Sequence, residues 1–172
     1  MSDNIENAMR ALLSDVLGVS MLVDAVNHAS SGAETATTVL GPFFVERAPS
    51  FGQGADISGG MPGEPLYVDV RVRSVEGQPI RGAAVDVWQS DADGYYDVQR
   101  PENAGNFKLR GTLTTDDDGR VRFWSILPTA YPIPHDGPVG AMLEATSRHP
   151  WRPAHLHFKL SAPGFRTVVT HL

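Results

Sequence analysis

The sequence predicts a mainly β protein, a β-sandwich preceded by one amphipathic helix and a long crossing loop. Three observations carry that prediction. Residues 5–26 contain a single glycine, Gly18, and no proline, while apolar residues recur at three- and four-residue steps. Residues 30–63 are dominated by turn-forming pieces such as SSGAET, GPFF, GQG and SGGMPG. Beyond Pro65, short runs alternate apolar and polar side chains and are closed by turn chemistry, at the spacing of an all-β sandwich or barrel.

The predicted helix carries Ile5, Met9, Leu12, Leu13, Val16, Leu17, Met21, Leu22 and Val26 in one stripe, wider than a single sandwich face should need. Asp3 and Glu6 suit a capping box at its start, and Gly32 lies just past its end. Leu66–Arg73 (LYVDVRVR) alternates cleanly and runs into the turn Glu76-Gly77-Gln78-Pro79. Ala83–Trp88 is the next strand, and Phe107–Thr114 precedes the turn Asp116–Gly119. Val121–Trp124, Ala154–Leu160 and the apolar run Thr167–Leu172 follow in the same style. The chain thus divides into residues 1–63, helix and linker, and residues 64–172, the sandwich.

Composition narrows the function. At 172 residues the chain can bury roughly 70% of the surface that its unfolded form exposes, so a real core is possible. Fourteen Lys and Arg against 20 Asp and Glu give a net charge of −6, which argues against a nucleic-acid binder. There is no cysteine. Disulfides, thiolate zinc sites, iron–sulfur clusters and a Cys nucleophile are therefore excluded, and any metal must sit on His, Tyr or carboxylate. No apolar stretch approaches the ~20 residues of a membrane span, and MSDNIENAMR has no signal-peptide character. The default address is the cytoplasm, with no membrane partner.

Of six histidines, His155 and His157 form an H-x-H pair inside a strand-like run. Side chains alternate across a strand, so both imidazoles project from one face, close enough to grip a single metal ion. Taken alone, such a pair is more often two surface histidines on a solvated strand. The flanks complete no cupin or zinc-hydrolase pattern: Leu160 and Ser161 stand where a cupin places its Glu, and His135 and His149 lie in loops. Hard oxygen donors to a ferric ion are a good fit for the remaining ligands, and tyrosinate is the strongest such donor in a cysteine-free chain. Two of four tyrosines are candidates. Tyr96 follows Asp93-Gly94-Tyr95, and Tyr131 sits in the proline-stiffened loop Thr129-Ala130-Tyr131-Pro132-Ile133-Pro134, which should not form regular strand. Either alone reads as a loop aromatic capping the sandwich.

Together these residues reach a known family. Val72–Asp97 (VRSVEGQPIRGAAVDVWQSDADGYYD) resembles the signature of the intradiol ring-cleavage dioxygenases, non-haem ferric enzymes that open catechols between their two hydroxyls. Tyr131, Arg152-Pro153-Ala154-His155-Leu156-His157-Phe158 and Ser161-Ala162-Pro163-Gly164 continue the match in order, and it extends upstream through Leu12–Asn27 and Val39–Phe44. It departs at Val70, where the family usually has Gly, a strand position remote from the ligands.

The resemblance implies one non-haem Fe(III) per chain on Tyr96, Tyr131, His155 and His157, both tyrosines ionised by the metal. It implies that Tyr131 leaves the metal and takes a proton when catechol binds, that Tyr96 stays, and that Arg152 faces the anionic, ketonised ring. Both atoms of O2 enter the product, a cis,cis-muconate. Residues 15–28, Thr38–Phe43 and Tyr131–Pro134 are similar to the hydroxyquinol 1,2-dioxygenase branch, whose product is of the maleylacetate type. In that branch Leu12 and Asp15 reach into the ring pocket, Val39, Leu40 and Gly41 line it, and Ile133 and Pro134 form the opposite wall. His171 stands where relatives carry a glutamine. The family also implies a homodimer through residues 5–28, a helical domain that begins earlier and a sandwich that continues further. This chain thus reads as truncated at both ends, with residues 1–63 a remnant of the helical dimerisation domain and the sandwich C-terminally incomplete. The alternative is a non-catalytic transthyretin-like or carboxypeptidase-regulatory-like sandwich, or an inactive fragment of the dioxygenase; iron content separates these.

Overall fold

The structure, a computed structural model, describes residues 10–28, 32–103 and 105–172. The proposed cap at Asp3 and Glu6, and Ile5 and Met9 of the stripe, lie outside the described residues.

Among the described residues eight strands follow in chain order: β1 (Pro65–Arg71), β2 (Ala84–Gln89), β3 (Arg110–Thr114), β4 (Arg120–Ile126), β5 (Tyr131–Pro132), β6 (Trp151–Arg152), β7 (Leu156–Ser161) and β8 (Val168–His171). They form a four-stranded sheet in the order β3-β2-β7-β8, a ribbon of β1 with β4, and a small ribbon of β5 with β6. Every ladder is antiparallel. The period of two places the core. Val85 and Val87 of β2, Leu113 of β3, and Leu156 and Phe158 of β7 face Val121 and Phe123 of β4, with Leu66, Val68 and Val70 of β1 packed alongside. The intervening side chains of β2 and β7 point to the other face of the same sheet, and there Trp88 meets His157.

The N-terminal helix is not continuous. Residues 10–16 are helical (α1), Gly18 turns the chain at φ 77, and a second helix, α2, covers Val19–Asn27. A left-handed residue is cheap at glycine and cannot be accommodated inside an α-helix. The stripe predicted over residues 5–26 therefore splits. Val16 and Leu12 pack on the protein, while Leu17, Leu22, Val23 and Val26 are exposed and α2 buries nothing.

Residues 32–63 cross the sandwich without a helix or a named strand, touching it through single bridges from Ser50 to Thr112 and from Asp56 to Trp124. One further sequence expectation is corrected. Tyr131 and Pro132 do form a ladder, with Arg152 and Trp151, because a two-residue edge ribbon tolerates the missing proline N–H. A third helix, α3 (Pro138–Ala145), was not anticipated. It starts with Pro138 in its first turn and buries Val139 and Leu143 against Val16. Among the described residues no helix is long and apolar enough to cross a membrane.

Candidate metal centre

Tyr96 reaches the site through a tight turn after β2. Asp91 accepts from the N–H groups of Asp93 and Tyr95, each at 2.9 Å, and Arg100 binds the same carboxylate at 2.8 Å. Gly94 takes φ 88, where a Cβ would stand 2.9 Å from Cβ of Tyr131. The turn sends Tyr95 outward, half exposed beneath the Arg100 guanidinium, and Tyr96 inward, with no exposed surface. Gln99 then holds Tyr96 by accepting its N–H at 2.9 Å.

His155 and His157 flank Leu156 at the start of β7; Leu156 enters the core, and the two imidazoles share the opposite face. Nε2 of His155 lies 3.0 Å from Nε2 of His157, and the Tyr96 hydroxyl lies 3.2 and 3.1 Å from these two nitrogens. The Tyr131 hydroxyl is 3.3 Å from that of Tyr96. Four oxygen and nitrogen donors, the outermost separated by 61 positions, thus converge on one point. First-row metal bonds of ~2.0–2.2 Å set donors ~3 Å apart around the ion, the spacing seen here. Among the described residues no group of three His, Cys, Asp or Glu side chains is placed to hold a metal, so any such centre depends on the tyrosines.

Burial keeps Tyr96, His155 and His157 uncharged at that point. Burial lowers the His157 imidazole to about 2, with the positive fields of His155 and Arg152 adding to the effect; burial lowers His155 as well. Both rings therefore stay neutral. The Nδ1 of His155 donates to the Pro153 carbonyl at 2.7 Å, leaving its Nε2 lone pair for the centre. Burial pushes the Tyr96 phenol far above its ordinary value, and Tyr131 beside it pushes the same way, while Arg152 and Arg110 oppose them. A multivalent cation supplies the charge that ionises such a phenol. Two neutral imidazoles and two phenol oxygens form a hard, mixed N/O set, which fits ferric iron.

Supporting groups surround the four donors. Trp88 stacks on His157, and Phe43 stacks on Tyr96 with ring centroids 4.5 Å apart. Arg110, itself buried, forms an ion pair with buried Asp97, the neighbour of Tyr96, and donates to the Phe43 carbonyl at 3.0 Å. The sequence reading assigned no role to Phe43, Trp88, Asp97 or Arg110. A buried Arg and Asp are the signal that could have flagged the last two, but their burial is visible only in the fold. His171 stands opposite His157 in the β7–β8 register, its ring 5.4 Å from that of His155 and 5.8 Å from that of His157.

The other predicted site residues divide. Half-buried Arg152 stands opposite Tyr131, and its charge reaches Tyr96 and both histidines. A Cβ on Gly41 would lie 3.6 Å from His157 Cε1, so the loop with Val39 and Leu40 runs directly past the ligand ring. Leu12 and Ile133 pack in one apolar cluster with Val16, Val139, Met142 and Leu143. Asp15 and Pro134 are exposed.

Residues 39–172 match a protein family described as Dioxygenase. The chain is 55% identical to 6-chlorohydroxyquinol 1,2-dioxygenase of Cupriavidus pinatubonensis over 94% of its own length and 58% of that protein. It is 51% identical to hydroxyquinol 1,2-dioxygenase of Nocardioides simplex, again over 94% of this chain, and 54% of that one. Among solved structures, hydroxyquinol 1,2-dioxygenase from Pseudomonas putida superposes with a TM-score of 0.89 at 52% identity, covering 94% of this chain and 56% of the other. The chain therefore spans little more than half the length of these relatives.

Proposed function

The chain belongs to the intradiol ring-cleavage dioxygenase family, and from that membership we propose that it carries the centre of a non-haem ferric dioxygenase acting on catechol-type substrates, hydroxyquinol first among them. The observation that carries the reading is the convergence of Tyr96, Tyr131, His155 and His157, four donors of the type and spacing that ferric iron takes. Hydroxyquinol is favoured because the relatives of about 50% identity are named for it.

Bound to these four residues, ferric iron would supply the Lewis acidity and one-electron chemistry that let an aromatic diol react with O2. The rest is the work of the chain. Tyr96 is fully buried and pinned by Gln99, which suits a ligand that stays in place. Tyr131 is only half-buried, on a two-residue ribbon, which suits a phenol oxygen that gives way to the substrate and takes the proton of its hydroxyl. Arg152, directly across that ribbon, is a permanent cation beside the place where the substrate becomes anionic. Gly41 lies against His157, with Val39 and Leu40 on the same loop as one side of the ring pocket, and Leu12 and Ile133 form an aliphatic wall with Pro134 beyond. Asp15, one helical turn from Leu12, offers an acceptor for a third ring hydroxyl. The exposed apolar side chains of α2 support pairing with a second copy through residues 5–28, which sedimentation of the intact chain tests.

The direct test of the function is oxygen uptake by the iron-loaded chain. The expected result is one O2 consumed per hydroxyquinol, with a maleylacetate-type product and slower turnover of catechol. An iron-loaded chain that consumes no oxygen with either substrate would contradict the proposal.

A further inference from the structure

One side chain ties the helix that carries Leu12 and Asp15 to the ribbon that carries Tyr131 and Arg152. At the end of α1 the Leu17 N–H returns to the Leu13 carbonyl and the Gly18 N–H to that of Asp15, both at 3.0 Å. The next turn belongs to α2, beyond the left-handed Gly18. The Val16 carbonyl is met instead by Nη1 of Arg148 at 2.8 Å, across 132 positions of sequence.

Arg148 is well placed to serve as an anchor. Its own N–H donates to the Leu143 carbonyl at 2.8 Å, closing the C-terminal end of α3, and Ser147 at φ 55 turns the chain from α3 toward β6. Two residues later the Pro150 carbonyl accepts the Ile133 N–H at 3.0 Å, and Arg152 then faces Tyr131. Beside this chain of bonds, Val16 packs on Val139 and Leu143, with Leu12 and Ile133 around them. That aliphatic cluster fixes the separation of α1 from the ribbon, but apolar contact is non-directional and tolerates sliding and rotation. A hydrogen bond to a helix carbonyl does not, and a cation is favoured at the negative end of the helix dipole.

We propose that Arg148 is a positioning residue for the aromatic substrate: by holding the Val16 carbonyl it sets the rotation and axial placement of α1, and with them where Leu12 and Asp15 stand relative to Tyr131 and Arg152. The inference rests on the ring-cleaving reading above. It makes Arg148 part of how the pocket distinguishes one diol from another, although the side chain touches none of the four donors.

The test compares Arg148→Ala and Arg148→Lys with the parent in the full, iron-loaded chain. Losing one charge-assisted hydrogen bond should raise KM for hydroxyquinol about 2- to 10-fold. kcat should fall much less, the visible iron band should not move, and Lys should recover part of the loss. An unchanged KM in Arg148→Ala overturns the inference, as does a loss of kcat and of the iron band in step with KM. Hydrogen exchange of the metal-free chain gives a readout independent of activity. Amides of residues 12–18 should lose protection in Arg148→Ala while those of β2 and β7 keep theirs; unchanged protection in residues 12–18, or equal loss everywhere, also overturns it. If the iron-loaded parent itself shows no turnover, the ring-cleaving reading has failed, and the exchange result then decides by itself whether Arg148 holds α1.

Discussion

Trp88 and His157 stand directly opposite each other on β2 and β7, and their rings lie face to face, with centroids 4.7 Å apart and planes within 5°. His155 is oriented by a hydrogen bond to the Pro153 carbonyl, whereas the Nδ1 of His157 is buried with no hydrogen-bond partner among the described residues. The stacked indole face thus helps to set the angle at which His157 presents its Nε2. Phe44 also packs on Trp88, tilted by 60° with ring centroids 5.0 Å apart.

Trp88→Leu should weaken iron binding by ~10- to 100-fold, the usual cost of losing an outer-shell support, while Trp88→Phe, which keeps an aromatic face, should lose less. Competition with a coloured chelator measures both. Equal affinity in the Leu variant and the parent would show that the indole does not orient the ligand.

Arg110 and Asp97 form a buried ion pair that reaches both Tyr96 and the Phe43 stacked on it. Removing one partner leaves the other charged and buried, so Arg110→Leu should cost ~3–5 kcal/mol in denaturant unfolding. Changing Asp97 to Leu as well should return a large part of that loss, because the paired apolar replacement leaves no orphan charge. A double variant as unstable as the single one would refute this.

Gly94→Ala should disturb Tyr131 more than the small added volume suggests. The residue would have to hold φ 88 with its Cβ 2.9 Å from Cβ of Tyr131. Backbone strain of this kind costs ~1–3 kcal/mol, and the atom the added Cβ meets first belongs to Tyr131. The expected outcome is a lower melting temperature together with a shifted tyrosinate-to-iron absorption; a melting change without any spectral change would place the strain elsewhere.

Sequence periodicity was enough to read the six longer strands, because one face packs on the core while the other is mostly polar, but the two-residue β5 and β6 are too short to show alternation. The alternation that sends Leu156 and Phe158 into the core is the same one that sends His155 and His157 to the site. The break at Gly18 and the helix at Pro138–Ala145 were harder. A lone glycine in an apolar stripe is compatible with a helix until its φ is known, and α3 is short and follows loop-like residues. The supports of the site were beyond reach of sequence: Trp88 to His157 and Arg110 to Phe43 are contacts made only by the closed fold.

Tyr96→Phe and Tyr131→Phe should differ. Tyr96 is sealed in and central, within 3.3 Å of the three other donor atoms, so its loss should abolish most iron binding and colour. Tyr131 stands at the half-buried rim, and its loss should leave iron bound with an altered band but turnover strongly reduced. Absorption spectra and single-turnover assays of the two variants compare them; identical spectra and identical residual turnover would contradict the assigned roles.

The central claim, that Tyr96, Tyr131, His155 and His157 hold one ferric ion, is tested most directly by iron analysis and the visible spectrum of the intact chain after anaerobic iron loading and oxidation. The account predicts close to one iron per chain and a broad tyrosinate-to-iron absorption that a chelator removes and renewed iron restores, with both lost in His157→Ala. A colourless chain that retains no iron, or one whose iron and colour survive His157→Ala unchanged, would contradict it.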